Sequence, residues 1–234
     1  MIDLVVGVND VRAFHDENIR ANKSHYSMAA RLMKGRVVTF FQNYGAKVHF
    51  NQMTNEEGQI IRYGIVEMQD LKHDLQYWET LVVSSFLQRP VSILKDHEIV
   101  REAQNENLQS ALALAALVSK NNCAETELFK NIVEIPHYQT SRLFELLDKE
   151  DADEIVNENL EQFREIYYPV IEKHFHDVLS ISDGRVQLRQ DMEAREKLLD
   201  SLNDNVYQNM ARWISVRSYD QEERFSKDEM PERR

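Results

Sequence analysis

The sequence predicts an α/β domain followed by an all-α module, and three observations point to it. Residues 62–94, RYGIVEMQDLKHDLQYWETLVVSSFLQRPVSIL, read as strand, long helix and strand with little left over for loop. The chain opens on an apolar run, Ile2 to Val8, of the kind that is covered on both faces of a sheet. Beyond Leu94 nothing further reads as a strand, while helical spacing of apolar residues recurs past residue 200.

Taken in order, the first strand carries one charged residue, Asp3. Two readings stand for it: a strand-end carboxylate facing solvent, which the pattern alone favours, or a hard oxygen ligand holding a divalent cation in a cleft. Asn9-Asp10 starts a turn or helix cap, and His15, Asn18, Asn22, His25 and Tyr26 follow, mostly three, four or seven apart. They can share one helix face, either a solvated surface or a substrate wall. His15 and His25 are ten apart with no third ligand in register, a poor zinc pattern.

Ser24 is expected to cap the next helix, with Ser27 in its first turn. Met28, Leu32, Val37 or Val38, Phe41 and Tyr44 mark its buried side, Gly35 interrupts it and Gly45 ends it. Val48, His49 and Phe50 alternate as a strand, and Asn55 to Gly58 supplies a turn. Ile60, Ile61, Tyr63, Ile65 and Val66 make the next strand. The following helix carries Leu71, Leu75, Trp78, Leu81, Val82 and Phe86 or Leu87 on one face, and Arg89-Pro90 stops it. Val91 to Leu94 then completes a β-α-β unit.

In the second half Asp96 can cap a helix rich in alanine, with Ile99, Ala103, Leu108, Ala111, Leu112, Ala115 and Leu117, that breaks at Asn121-Asn122. Ala124 to Ile135 is a shorter helix ending at Pro136, and Ser141 to Leu147 another. Asp151 or Asp153 caps a helix that stops near Pro169. His174 and His176 are two apart, so on a helix they diverge and read as surface residues. Leu188, Met192, Leu199, Leu202, Val206, Met210 and Trp213 form a seam along a charged helix that could dock on the protein, pair with another helix or lie on a membrane, the last being the least supported by its charges. From Ser218 the tail is charged and aperiodic, the composition of a disordered segment.

The chain has 234 residues, 42% of them apolar, enough for one large domain or two small ones. A net charge of -12 and the lack of a local basic patch argue against a nucleic-acid partner. The single Cys123 allows neither an intrachain disulfide nor a cysteine-ligated zinc. The longest uninterrupted apolar run, Ala111 to Val118, is far short of a bilayer span, and no signal peptide or arginine-rich presequence precedes the first strand.

Several ordered blocks carry a resemblance: MIDLVVGV, FHDENIRANKSHYS, GAKVHFN, RYGIV, the D-L-x-x-D-L-x-x-W helix of Asp70, Leu71, Asp74, Leu75 and Trp78, RPVSIL, NLQSALALA and LEQFREIYYPVIE. From Met1 to about Glu172 the chain resembles the mitochondrial-type phosphatidate cytidylyltransferases, the translocator assembly and maintenance family. The resemblance implies a nucleotidyltransferase-like α/β domain, then a helical, winged-helix-like domain. It implies the reaction of CTP with phosphatidic acid to CDP-diacylglycerol and pyrophosphate, feeding cardiolipin synthesis, with Mg²⁺ and peripheral contact with the matrix side of the mitochondrial inner membrane. The expected divisions are 1–95, an α/β domain; 96–180, a helical domain; 181–217, a long amphipathic helix; and 218–234, a disordered tail.

The resemblance also assigns residues. Asp3 falls on the family's carboxylate and becomes the expected catalytic and Mg²⁺-binding residue. His25, Tyr26, Ser27, Asn51, Tyr63, Gly64 and Arg89 become expected nucleotide or lipid-phosphate contacts, whereas Trp78, Leu81 and Pro90 match in packing roles. Relatives carry a glycine-serine-glycine turn upstream of the first strand that would cradle the triphosphate. This chain starts after that point, so the sheet domain is expected to be incomplete at its N-terminus and transfer by this polypeptide weak or absent. The family's G-R pair appears here as Ser85-Phe86, and its G-D-F-R block as residues 138–143, YQTSRL, with Arg142 retained. A catalytically inactive relative acting as a binding or assembly component is the alternative.

Overall fold

The computed structural model describes residues 2–138, 151–189, 191–203, 205 and 206. It is a mixed α/β protein that divides into two units, one running to Leu87 and including Ser92–Glu106, the other comprising Gln88–Val91 and the chain from Asn107.

In the first unit, β1 (Ile2–Val8), β2 (Val48–Thr54) and β3 (Ile60–Glu67) form a sheet of order β1-β3-β2, parallel between β1 and β3 and antiparallel between β2 and β3. The β2-β3 hairpin closes on the expected turn, with Asn55 N–H donating to the Gln59 carbonyl and Gly58 at φ +79°. Leu4, Val6 and Val8 of β1 meet Tyr63 and Ile65 of β3, and α1 (Val11–Ala21) covers that face through Val11 and Phe14. Asp10 caps α1, its Oδ1 accepting from Ala13 N–H at 2.9 Å.

A 3-10 turn, Lys23–His25, leads to α2 (Met28–Tyr44). The cap of α2 is Ser27, not Ser24, its hydroxyl accepting from Ala30 N–H at 3.3 Å. The interruption expected at Gly35 is present: Lys34 leaves the helix at φ 59°, and Gly35 N–H donates to Asp16 Oδ1 at 3.0 Å. A side chain at Gly35 would meet the Arg12 carbonyl at 2.9 Å. The buried face of α2 is a correction to the sequence reading. Val38 and Gln42 point inward, while Met28, Leu32, Phe41 and Tyr44 are exposed. The kink at Lys34 resets the helical phase, so one apolar stripe drawn through it does not describe the packing.

The β-α-β unit is also corrected. The helix after β3 is α3 (Met68–Tyr77); Trp78 follows at φ 52° and Leu81 at φ 58°, and α4 (Val82–Leu87) is a separate short helix. Val91 to Leu94 is exposed and not a strand. The cause of the break is Asp74, whose buried carboxylate gathers amides from Thr80 to Ser84. Helix α5 (Glu98–Val118) starts in this unit.

In the second unit residues 111–116 of α5 are buried throughout. The all-α expectation fails here: β4 (Asn122–Ala124), β5 (Leu179–Ser182) and β6 (Arg185–Leu188) form an antiparallel sheet of order β4-β6-β5. These strands are only three or four residues long, too short for a period-two pattern to register. Between them lie α6 (Glu125–Val133), α7 (Ala152–Glu158), capped by Asp151, and α8 (Leu160–Val170), which continues through Pro169 into a π turn at Ile171–Phe175. Phe129, Phe163 and Tyr167 stack at 5.3 to 6.3 Å between ring centroids. Buried Glu125 accepts from Arg164 and from the Tyr168 hydroxyl, so its charge is compensated inside the unit.

The long helix expected from residue 181 is replaced by the β5-β6 hairpin, turned at Asp183-Gly184, and by α9 (Met192–Asp200), capped by Asp191. His174 is half-buried and His176 exposed. The helix expected over Ser141 to Leu147, Arg142, the Met210 and Trp213 end of the seam and the charged tail lie outside the described residues.

Candidate functional site

The face of the first sheet under α1 and α2 gathers a polar cluster: His15 and Asn18 from α1, His25 and Tyr26 from the turn before α2, Gln42 from α2, His49 and Asn51 from β2, and Tyr63 from β3. Sheet alternation explains the strand members. Asn51 pairs with Tyr63 and His49 with Ile65, so all four project to one face.

The hydrogen bonds form a continuous chain whose donors can be assigned from their partners. Gln42 Nε2 donates to the carbonyls of Lys47 and Ile65, both at 3.0 Å. Its Oε1 must therefore accept, and His15 Nε2 donates to it at 3.0 Å. In the neutral ring His15 Nδ1 then accepts from the Tyr26 hydroxyl at 2.9 Å. Asn18 Nδ2 donates to the Tyr26 and Tyr63 hydroxyls, at 3.0 and 2.9 Å. His25 Nδ1 lies 2.7 Å from the Tyr63 hydroxyl. The network thus runs from the interior at Gln42 to half-buried His25, with Asn22 holding Asn18 Oδ1 at 2.8 Å.

Burial sets the charge states. It lowers the pKa of His15, a trend Gln42 opposes, and with the nearby His15 it lowers His49 to about 4. Burial raises the phenols of Tyr26 and Tyr63 above their ordinary value. At neutral pH His15 and His49 are uncharged and both phenols keep their protons. This part of the cluster therefore offers oriented dipoles, not ions. Asn51 is buried beside Tyr26 and His49 and its side chain acts on both, although its Nδ2 makes no well-formed hydrogen bond.

His25, Tyr26, Asn51 and Tyr63 are thus brought together. Ser27 sits next in the chain, exposed, with its hydroxyl oxygen accepting the α2 cap bond from Ala30 N–H. Gly64 faces the other side of the sheet, where a Cβ would lie 2.8 Å from Phe50, a packing reason for glycine. Arg89 belongs to the second unit. Asp3 pairs in register with Arg62, on the opposite sheet face from Tyr63. Both of its oxygens accept from that guanidinium, Oδ1 from Nε at 2.7 Å and Oδ2 from Nη2 at 3.1 Å. Three or more His, Cys, Asp or Glu side chains nowhere converge as a metal site among the described residues. As arranged, these residues do not fit a preformed Mg²⁺ site. In the sequence His15 and Asn18 fall on a shared helix face, whereas no role follows from it for Gln42 or His49. The period-two spacing of His49 and Asn51 was the available signal for His49; Gln42 had none, because its position followed the misread face of α2.

A family model described as phosphatidate cytidylyltransferase, mitochondrial, matches residues 1–232. Proteins of that name from Rattus norvegicus and Xenopus laevis are 32% identical over 213 residues and 31% identical over 216 residues. These alignments cover 90% and 92% of this chain but 63% and 64% of the relatives, so the chain spans less than two thirds of their length. The Schizosaccharomyces pombe protein of that name is 31% identical over 172 residues, 73% of this chain and 44% of its own. Matched along nearly its whole length, the chain belongs to the mitochondrial phosphatidate cytidylyltransferase family.

Proposed function

We propose that this chain takes part in cytidylyl transfer from CTP to phosphatidic acid, giving CDP-diacylglycerol and pyrophosphate on the matrix side of the mitochondrial inner membrane. The supporting observation in the geometry is the ordered donor network ending at His25, beside the buried amide of Asn51. In this reaction a phosphate oxygen of phosphatidic acid attacks the α-phosphorus of CTP, and the bond to the bridging α–β oxygen breaks as pyrophosphate leaves. The nucleophile is already anionic near neutral pH, so the protein's work is positioning and charge stabilisation. In this reading Tyr63, Asn51 and His25 act as hydrogen-bond donors to phosphate or cytosine, with Asn18, His15 and Tyr26 fixing their orientation. A nucleotidyltransferase-like first unit and a winged-helix-like second unit belong to the same reading, the latter supported by the order α5-β4-α6-α7-α8-β5-β6.

Mg²⁺, when bound, would neutralise the triphosphate. Asp3 would have to leave Arg62 to hold it. That ion pair favours a second reading, a relative that binds its ligands without turning them over. Incubating the chain with labelled CTP, phosphatidic acid and Mg²⁺ separates the two. CDP-diacylglycerol formation that drops about ten-fold or more in His25→Gln supports transfer at this cluster. CTP binding without product selects the second reading, and neither binding nor product overturns both.

A further inference from the structure

The kinked helix α2 presents to solvent what a core helix would hide. Met28 is 77% exposed, Leu32 79%, Phe40 53%, Phe41 63% and Tyr44 81%. Phe40 and Tyr44 approach to 4.5 Å between centroids, and Phe40 and Phe41 to 5.7 Å, so the aromatic rings form a contiguous patch on the surface. Isolated exposed apolar residues are ordinary, but a contiguous patch marks a surface that something covers.

The charges on the same stretch say what covers it. Residues 18–55 contain six Lys and Arg and no Asp or Glu, in a chain whose net charge is -12. Of the six, Arg31, Lys34 and Arg36 lie on α2 among the exposed apolar side chains, and all three are exposed. No ion pair among the described residues engages them. Overall composition hides this segregation, which appears once charge is followed along the chain. A helix of an acidic protein that sets exposed Lys34 and Arg36 beside exposed Phe, Leu, Met and Tyr is matched to a surface both anionic and apolar beneath its charge. A polyanion such as nucleic acid would satisfy the cations and leave the aliphatic side chains without a partner.

We infer that α2 is a docking element for an anionic phospholipid bilayer: the exposed Leu32, Phe40 and Phe41 enter the interface, and Arg31, Lys34 and Arg36 meet lipid phosphates. The placement suits the chemistry proposed above. Helix α2 begins at Met28, two residues after Tyr26, and its inward Gln42 anchors His15 of the polar cluster. Docking would therefore bring the membrane surface next to His25. This inference extends the lipid-substrate reading, but its test uses a lipid that is not the proposed substrate and omits CTP, so either can fail alone.

The experiment is co-sedimentation of the full chain with vesicles of phosphatidylcholine alone or with phosphatidylglycerol added. Binding is expected to the mixed vesicles only and to weaken with added salt. Phe40→Ser combined with Phe41→Ser, and separately Lys34→Gln combined with Arg36→Gln, should each lower partitioning about ten-fold or more while leaving the unfolding midpoint near that of the parent. Leu94→Ser, at another exposed apolar position, should change nothing. Equal binding to neutral vesicles, no binding to either, or undiminished binding by both double variants would overturn the inference. So would a dimer of the parent chain that dissociates on Phe40→Ser with Phe41→Ser, which would assign the face to a second copy.

Discussion

Both carboxylate oxygens of Asp3 are held by the guanidinium of Arg62, and strand alternation puts that pair on the sheet face opposite Tyr63. The pair is open to water, with side chains 31% and 42% exposed, so it contributes on the order of 0.2–1 kcal/mol. Asp3→Asn should therefore shift the urea midpoint only slightly. Millimolar Mg²⁺ without nucleotide should leave the thermal midpoint of the parent chain unchanged within a degree or so. A rise of several degrees that Asp3→Asn abolishes would show a cation site that forms despite Arg62.

Tyr63→Phe removes one oxygen that two side chains use, Asn18 and His25. The ring still fills the core beside Val11 and Ile65, so the stability cost should be about 1 kcal/mol, that of a partly buried hydrogen bond. If the cluster binds a substrate phosphate, turnover should fall much further than this, and His25→Gln should show the same loss. Thermal unfolding and cytidylyl transfer measured on the same variants distinguish a bracing role from a binding one. A loss of stability with activity intact would confine the network to bracing.

How much of this was legible in the sequence depends on how far apart the deciding atoms lie. That β1 to β3 are strands and that residues 55–58 turn could be read because apolar runs and turn residues are local signals. But β1 lies at the sheet edge with none of its residues buried, not covered on both faces as its apolar run suggests. Asp74 looked like one more polar residue on an amphipathic helix, and nothing local shows that its carboxylate collects amides from residues six to ten positions ahead. Lys34 misled for a related reason: a helical wheel assumes one axis, and Gly35 seated against Asp16 gives α2 two. The polar cluster was half visible. His15, Asn18, Asn22, His25 and Tyr26 can share a face by spacing alone, but Gln42 reaches it from α2 and His49 and Asn51 from β2. The three short strands of the second unit fell below the length at which periodicity carries information.

The depressed pKa values of His15 and His49 make a pH prediction whose sign can be worked out. In the unfolded chain both rings take a proton near pH 6.5, whereas in the folded chain burial resists it, down to about pH 4 for His49. The stability involved is fully present above about pH 6.5 and is lost as the pH falls toward 4, because the unfolded state then binds more protons. The buried carboxylate of Glu125 is lowered below its ordinary value and titrates further down, so the interval from about 6.5 to 5 isolates the histidines. Urea midpoints should drop across that interval, and His49→Gln should flatten the slope. A flat profile in the parent chain would show that the rings are charged without penalty.

Asp74 is the position whose loss should cost the most. Oδ1 accepts from the Thr80 amide at 2.7 Å, the Thr80 hydroxyl at 2.9 Å and the Leu81 amide at 2.9 Å. Oδ2 accepts from the Val83 amide at 3.2 Å, the Ser84 amide at 2.9 Å and the Ser84 hydroxyl at 3.0 Å. These bonds hold Trp78 and Leu81 in left-handed backbone, each an unfavourable conformation for a residue with a side chain. Asp74→Ala leaves several buried amides without acceptors, for which about 3–5 kcal/mol is the expected loss. Asp74→Asn keeps the shape, but its amide nitrogen must face three donors, so it should recover only part of that. Urea unfolding of the two variants tests this, since a helix running unbroken from Met68 to Leu87 would make both nearly neutral. The aspartate at this place in the D-L-x-x-D-L-x-x-W block is thereby assigned to shaping the chain.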